Sequence, residues 1–435
     1  MDSNQTILKS AAKFLSGTMI SRVTGLLRDI SMAWAFGTAA PLAAFFVAFR
    51  LTNVPRRILG EGGMQTAFIP QYEALKKQDA SKAHAFFRDL HAFMALGLAL
   101  LIGVVMAGIY PFLGDDSDVL KMTFLMLPSL YFICLYALNA AFIQSEGSYF
   151  TPGVAPIAFN IIWILAALFL SSIAPDEAMV PLALSICLGA MGQWLMTVPK
   201  TISKLSIPLF TGWDLKSSDL KILIKPLFLA NLGVVATQIN SGLDPLFARW
   251  AHPEGPAWLW YAIRIEQLPL ALFGIALSSA LLPPLSRAAK QGMFLEFKTF
   301  LITALKRSSY LMVPITCLIF ILGRFSVKLL FGRGDFGEAS IDGTTLCLWG
   351  YGAGLLFQTW VLILAPAFYA LGNYKTAALG SILSVGINLC LNTLFIFGLN
   401  WGPESVAWAT SISALFNALF LGSKLFSSHF ASETP

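Results

Sequence analysis

The run Ser21-Arg22-Val23-Thr24-Gly25-Leu26-Leu27-Arg28-Asp29 puts two arginines and a carboxylate inside an otherwise apolar stretch, residues 11–36. At 100° per residue, Thr18, Ser21, Arg22, Gly25, Arg28 and Asp29 fall within one helical sector of about 120°. An arginine at bilayer depth costs about 2.5–3.5 kcal/mol on insertion scales, so these side chains must face a partner or a water-filled chamber rather than lipid. A second apolar stretch carries Arg50, Asn53, Arg57 and Glu61 along one helical face, with Arg56 pointing elsewhere. A later one carries Arg264, with Glu266 and Gln267 beside it. Guanidinium forks match phosphate oxygens. Arg22, Arg28, Arg50 and Arg264 therefore predict a cationic cavity that takes an anion. The alternative is four separately neutralised arginines, tied to Asp29, Glu61, Asp244 or Glu266 and to backbone carbonyls.

A different chemistry is suggested further along. Asp244 lies in an apolar stretch just before Pro245, where a carboxylate is expensive unless neutralised. Asn388 and Asn392 are spaced i, i+4 and share a helical face. At about 1.5 Å per residue, Asp244, Asn392 and Thr410 reach a similar depth. One carboxylate with amide and hydroxyl oxygens suits a hard cation such as Na⁺. The alternative is a structural hydrogen-bond network. Enzyme chemistry finds no support. The histidines His84, His91, His252 and His429 stand at no ligand spacing with Cys, Asp or Glu, and no glycine-rich phosphate loop occurs. The five cysteines form no C-x-x-C pair, so neither a zinc site nor a disulfide framework is indicated.

The elements that must position these residues are membrane helices. Of 435 residues, 57% are hydrophobic and 12% charged, about half the charge of a soluble domain. Apolar stretches of spanning length lie near 11–36, 41–60, 86–112, 120–144, 153–173, 180–199, 222–248, 257–282, 300–323, 345–370, 375–398 and 404–425. All must be helical, because an open sheet leaves backbone groups unsatisfied in lipid. The expected fold is an all-α polytopic membrane protein of about twelve transmembrane helices, without a cleavable signal peptide. With the N-terminus inside, twenty of the 29 Lys and Arg fall in inner segments or towards the inner ends of spans, five on the outer side, and four, Arg22, Arg28, Arg50 and Arg264, deep within spans. That bias predicts cytoplasmic termini and explains the net charge of +6 without nucleic acid. The outer segments carry the acidic clusters Asp115-Asp116-Ser117-Asp118 and Asp176-Glu177. Two inner connections, Met64–Lys77 and Pro284–Lys298, are amphipathic and are expected to lie along the inner membrane surface.

The chain also repeats. Ala48, Arg50, Pro55, Gly60 and Pro70 recur as Ala262, Arg264, Pro269, Gly274 and Pro284, all 214 residues on. Gly147, Tyr149 and Thr151 recur as Gly372, Tyr374 and Thr376, all 225 on. Two in-order sets argue for a duplicated six-helix unit. Six is even, so the halves would share one orientation, as in parallel-repeat transporters, around a central cationic cavity. The expected division is 1–205 and 206–435, joined through the basic stretch Lys200–Lys221.

Several of these runs carry a family likeness. SRVTGLLRD at 21–29, AFFVAFRLTNVPRRILGEGGMQTAFIP at 44–70, WYAIRIEQLP at 260–269, FGRGDF at 331–336 and LAPAFYALGNYKTA at 364–377 together resemble the MurJ/MviN family. These are lipid II flippases of the multidrug/oligosaccharidyl-lipid/polysaccharide exporter superfamily, and the resemblance runs from about Ile7 to Phe420. It implies movement of a lipid-linked, anionic peptidoglycan precursor from the inner to the outer leaflet of the cytoplasmic membrane by alternating access. It places substrate-binding roles on Arg22, Arg28, Arg56 and Arg264, with Asp29 as partner of Arg28. Glu61 matches a family acidic residue, and with Arg57 is a candidate for gating. It adds Val406, through its backbone carbonyl, to Asp244, Asn388, Asn392 and Thr410 as a sodium site. Two departures stand out. An acidic residue usual before the A-F-F run is Ala43 here. The family's helices 13 and 14, which help hold the lipid tail, are expected to be absent, so the tail would lie in the bilayer or a partner polypeptide would supply the groove. The protein is expected to act as a monomer. Alternatives are a flippase for another lipid-linked oligosaccharide, an ion-coupled drug antiporter, or a membrane scaffold for cell-wall enzymes. A scaffold needs no deep arginines, and a cationic-drug exporter favours acidic lining.

Overall fold

The structure is a computed structural model that describes residues 4–61, 63–114 and 118–429, without the side chains of most of 4–18, 59–66, 224–239 and 275–282. Among the described residues every regular element is helical. The chain packs as two compact units, one of residues 1–36 with 44–238 and one of 37–43 with 239–435. The changeover between them lies inside a long helix, whereas the charge pattern marks the connection near 205/206.

The first unit holds α1 (Asn4–Phe36), α2 (Ala40–Arg56, its first residues packing with the other unit), α3 (Gly63–Gln78), α4 (Ala80–Ile109), α5 (Asp118–Ser145), α6 (Phe150–Val154), α7 (Pro156–Leu170), α8 (Pro175–Leu195) and α9 (Val198–Lys204). α5 is its central helix and packs on α3, α4 and α8, while α7 joins α8 to α1. A stack of rings closes the α3–α4–α5 corner, with Phe87 and Phe142 at 4.1 Å between centroids and Phe68 on Tyr72 at 5.3 Å.

α10 (Ser218–Ala251) leads into the second unit, which continues with α11 (Gly255–Pro269), α12 (Ala276–Lys290), α13 (Phe294–Phe331), α14 (Glu338–Ala370), α15 (Tyr374–Thr393) and α16 (Glu404–His429). α14 is central and packs on α11, α13 and α16. Small residues let α14 and α16 approach, as between membrane helices generally. A Cβ added at Gly350 would come 2.7 Å from that of Ala407, and one at Gly354 would collide with Ser411.

Eight of the described helices are long and apolar enough to cross a membrane, and this is a polytopic membrane protein. The other expected spans fall on α1, α2, α10 and α11–α12, which are also helical. The duplication is visible in the backbone. Pro55 is followed by a π-helical turn at Arg57–Glu61, and its repeat partner Pro269 by one at Leu270–Ile275. Proline removes an i→i−4 donor and crowds the carbonyl a turn back, so each proline marks a matching interruption of its helix. The ends of α5 and α14 also match. Gly147 N–H and Ser148 N–H bond Gln144 O and Ile143 O, as Gly372 N–H and Asn373 N–H bond Tyr369 O and Phe368 O. Both glycines have left-handed φ, 74° and 72°, as this helix-ending motif requires.

The stretch Pro284–Lys298 is not one continuous helix. α12 ends at Lys290, Gly292 turns with φ 69°, and α13 begins at Phe294. The stretch Met64–Lys77 is helical, within α3.

Candidate functional site

Arg28 is buried in the first unit and held from three sides. Its Nε and Nη2 donate to Asp29 Oδ1 at 3.1 and 2.8 Å. Nη1 donates to Asn160 Oδ1 on α7 at 3.2 Å. The guanidinium lies over the Trp163 ring, 4.4 Å from its centroid. Asn160 is itself fixed, its Nδ2 donating to Thr24 Oγ1 at 2.9 Å and Ser21 O at 3.2 Å. Trp163 is wedged against Phe45, Phe49 and Phe159, at 4.8–5.6 Å between centroids, and its indole N–H meets Met32 Sδ at 3.1 Å. A guanidinium has five N–H donors. Three are committed here, and the other two meet no acceptor among the described residues. The result is an arginine with fixed position and residual donor capacity, suited to a phosphate oxygen.

Asn160 and Trp163 were not anticipated from the sequence. They lie three apart on an apolar helix, which places an amide and an indole on one face. That signal is present, but nothing local links it to residue 28. In the second unit Arg264 lies over Trp260, 4.3 Å from the ring centroid, an i, i+4 pair that the sequence does contain. Glu266 is buried and meets the side chain of Gln358 on α14.

The other arginines stand differently. Arg22 and Arg57 are exposed, and Arg50 and Arg56 are half-buried. Arg56 Nη1 donates to Asn53 Oδ1 at 3.3 Å. Arg56 thus reaches the face that carries Asn53, contrary to the angular reading, because an i, i+3 pair lies within reach of a long side chain. Glu61 lies on the π-helical turn, with its side chain outside the described residues, as are that of Thr18 and all of Asp115, Asp116 and Ser117.

The oxygen-rich constellation assembles within the second unit. Asn392 Nδ2 donates to Asp244 Oδ1 at 3.1 Å, joining α15 to α10. With the Asn388 amide turned to satisfy both its ends, its nitrogen donates to Asp244 Oδ1 at 3.2 Å and its oxygen accepts from Thr410 Oγ1 at 3.3 Å. Thr410 O–H lies 3.0 Å from Val406 O on α16. Asn388 and Asn392 are buried, and Asn392 Oδ1 has no hydrogen-bond partner among the described residues. A carboxylate with amide and hydroxyl oxygens gathered around it is a donor set that fits a hard cation. No group of three His, Cys, Asp or Glu suited to a transition metal occurs among the described residues.

Comparison with known proteins gives the family. The sequence profile described as lipid II flippase MurJ matches residues 32–431. A protein of Chlamydia trachomatis named probable lipid II flippase MurJ is 30% identical over 397 residues, covering 90% of this chain and 74% of its own. One from Burkholderia cenocepacia, named lipid II flippase MurJ, is 30% identical over 422 residues, covering 87% and 81%. A solved structure of lipid II flippase MurJ in an inward closed conformation superposes with TM-score 0.79 at 25% identity, over 95% of this chain and 87% of that one. An inward-facing multidrug resistance MATE transporter superposes with TM-score 0.73 at 15% identity, over 98% and 100%, a likeness of fold alone. Matched across nearly its whole length by one family's profile, the chain belongs to the MurJ lipid II flippases.

Proposed function

We propose that this chain carries lipid II from the inner to the outer leaflet of the cytoplasmic membrane by alternating access. In this reading the substrate's diphosphate binds Arg28, and Arg264 contacts it in the course of the same cycle. The observation that carries the reading is Arg28 itself, fixed by Asp29, Asn160 and Trp163, with two donors that meet no acceptor among the described residues. Asp29 keeps the guanidinium in place between substrates. Arg22 and Arg50 add to the attraction for the anionic headgroup, while Arg56, Arg57 and Glu61 act in capture and gating at the inner face. A cationic-drug antiporter would place acidic groups where Arg28 stands.

Asp244, Asn388, Asn392, Thr410 and the Val406 carbonyl would hold Na⁺. The ion would be held by the Asp244 carboxylate together with the neutral amide, hydroxyl and carbonyl oxygens around it. Both termini lie in the cytoplasm, and the monomer is the working unit. The deciding experiment is complementation of a conditional lipid II flippase mutant, scored by lipid II accessibility on the outer face. Rescue by the wild-type chain, lost in Arg28→Ala and Arg264→Ala at unchanged membrane levels, is the expected result. Full rescue by both variants would overturn the binding roles.

A further inference from the structure

The second unit contains a cavity of about 250 Å³ that none of the groups above line. It lies where the π-helical turn Leu270–Ile275 meets α13 and α14. Leu272 and Phe273 come from the turn, Leu311 from α13 and Thr359 from α14. The walls offer no hydroxyl donor. Ser308 Oγ donates to Leu305 O at 2.8 Å, and Thr359 Oγ1 to Leu355 O at 2.9 Å, each within its own helix. Arg307, exposed, is the charged residue of the lining, and among the described residues it makes no hydrogen bond or ion pair. Lys306 stands beside it, and Arg287, Lys290 and Lys298 lie on the neighbouring ends of α12 and α13. Drug-sized ligands occupy roughly 300–1,000 Å³. The crevice is therefore too small for a disaccharide-pentapeptide headgroup, and its apolar wall suits an alkyl chain. Its one charged edge, at the basic end of a membrane helix, suits a phosphate.

We propose that the crevice seats one acyl chain of an anionic glycerophospholipid, whose phosphate lies on Arg307. Arginine fits this place better than lysine, because its planar fork takes two oxygens of one phosphate. A net negative headgroup is favoured over a zwitterionic one by the surrounding basic residues. The lipid would pack against the π-helical turn that follows Pro269, and so support the backbone immediately after Arg264.

The test uses the full chain in detergent, with dioleoyl-phosphatidylglycerol or dioleoyl-phosphatidylcholine added at equal concentration and retained lipid read by native mass spectrometry. Phosphatidylglycerol should be retained several-fold over phosphatidylcholine. Arg307→Gln should lower its retention about fivefold, the equivalent of about 1 kcal/mol per basic residue near an anionic surface. Leu272→Trp, at a position 57% exposed, fills the crevice from outside and should lower retention of both lipids. Lys306→Gln should lower phosphatidylglycerol retention much less than Arg307→Gln, because Lys306 adds only general attraction and does not hold the phosphate. Equal retention of the two lipids by the wild type overturns the proposal. So does unchanged retention in both Arg307→Gln and Leu272→Trp, or a loss in Lys306→Gln as large as in Arg307→Gln, which would mean general surface charge. Binding is read without transport, so the outcome is independent of the flipping assay.

Discussion

Arg28 owes its place to residues at three distances along the chain. Asp29 is its neighbour, and that pairing was legible in the sequence. Asn160 lies 132 residues away. No periodicity could reveal it, because the contact exists only once α7 packs on α1. Trp163 was hidden for the same reason, whereas Trp260 under Arg264 was available as a simple i, i+4 pair. The arrangement separates charge from orientation. Arg28→Lys keeps the charge but not the fork, so complementation should be partial, while Arg28→Ala should abolish it. Trp163→Leu keeps apolar volume and removes a cation–π attraction of about 0.5–2 kcal/mol, so outer-leaflet lipid II should appear several-fold more slowly at equal protein level. A Trp163→Leu variant that matches the wild type would show that the ring only fills space. Arg56 is tested the same way. Topology needs only its charge, so a correctly inserted Arg56→Lys that flips poorly supports a role at the inner gate, and full activity removes it.

Among elements, α3 shows what amphipathic pattern reading captures and where it stops. Its helix was legible. Its anchor was not, because it depends on the turn after α5. There Glu146 accepts from Tyr72 O–H at 2.7 Å and from Lys76 Nζ at 2.6 Å, while Lys76 also donates to Ser145 O at 3.2 Å. His84 Nε2 lies 4.0 Å from the same carboxylate. The stretch Pro284–Lys298 breaks at Gly292, whose left-handed turn is a backbone event that an amphipathic pattern does not register. The anchor predicts a pH dependence. Burial pushes the Glu146 carboxyl up, but the hydrogen bonds from Lys76 and Tyr72, with the charges of Lys76 and His84, more than offset this and hold it below the ordinary glutamate value. A carboxyl lowered in the folded state stabilises above its unfolded value, and the contribution disappears as pH falls through the folded value. Wild-type melting temperature should therefore drop more steeply than that of Glu146→Gln below about pH 4.3. At neutral pH the variant should be less stable by roughly 1 kcal/mol. Parallel melting curves for the two proteins between about pH 6 and 3 would refute the anchor.

For the whole molecule, the duplication was the most legible feature. Offsets of 214 and 225 residues in the sequence reappear as paired π-helical turns and paired helix-ending glycines. The division into compact units was less legible. It falls within α10, with residues 37–43 packing in the second unit, and packing of that kind leaves no mark in composition. The lysine and arginine bias sets orientation, so a fluorescent protein fused after residue 429 should fold and glow, whereas alkaline phosphatase there should be inactive. The reverse pattern would invert the topology. The energy source is also a property of the whole molecule, and the meeting of α10, α15 and α16 makes it testable. Asp244 is joined there to Asn388 and Asn392, and the buried Asn392 Oδ1 lacks a partner among the described residues. A plain hydrogen-bond network closes on itself if both amides turn, because the Asn388 and Asn392 nitrogens are 2.9 Å apart once Asn388 is turned, so dependence on the ion is what separates the two readings. A ligand that binds only the folded chain stabilises it by mass action, about 2.7 kcal/mol at a hundred times its dissociation constant. Exchanging K⁺ for Na⁺ at constant ionic strength should therefore raise the melting temperature of the wild type. Asp244→Asn should remove the difference while still inserting in the membrane, since the amide keeps the side chain's size and its bond to Asn392 through the remaining oxygen. Lipid II appearance in the outer leaflet should follow the same Na⁺ dependence in the wild type and lose it in the variant. A wild-type chain whose stability and flipping are both indifferent to Na⁺ would reduce the constellation to a structural network.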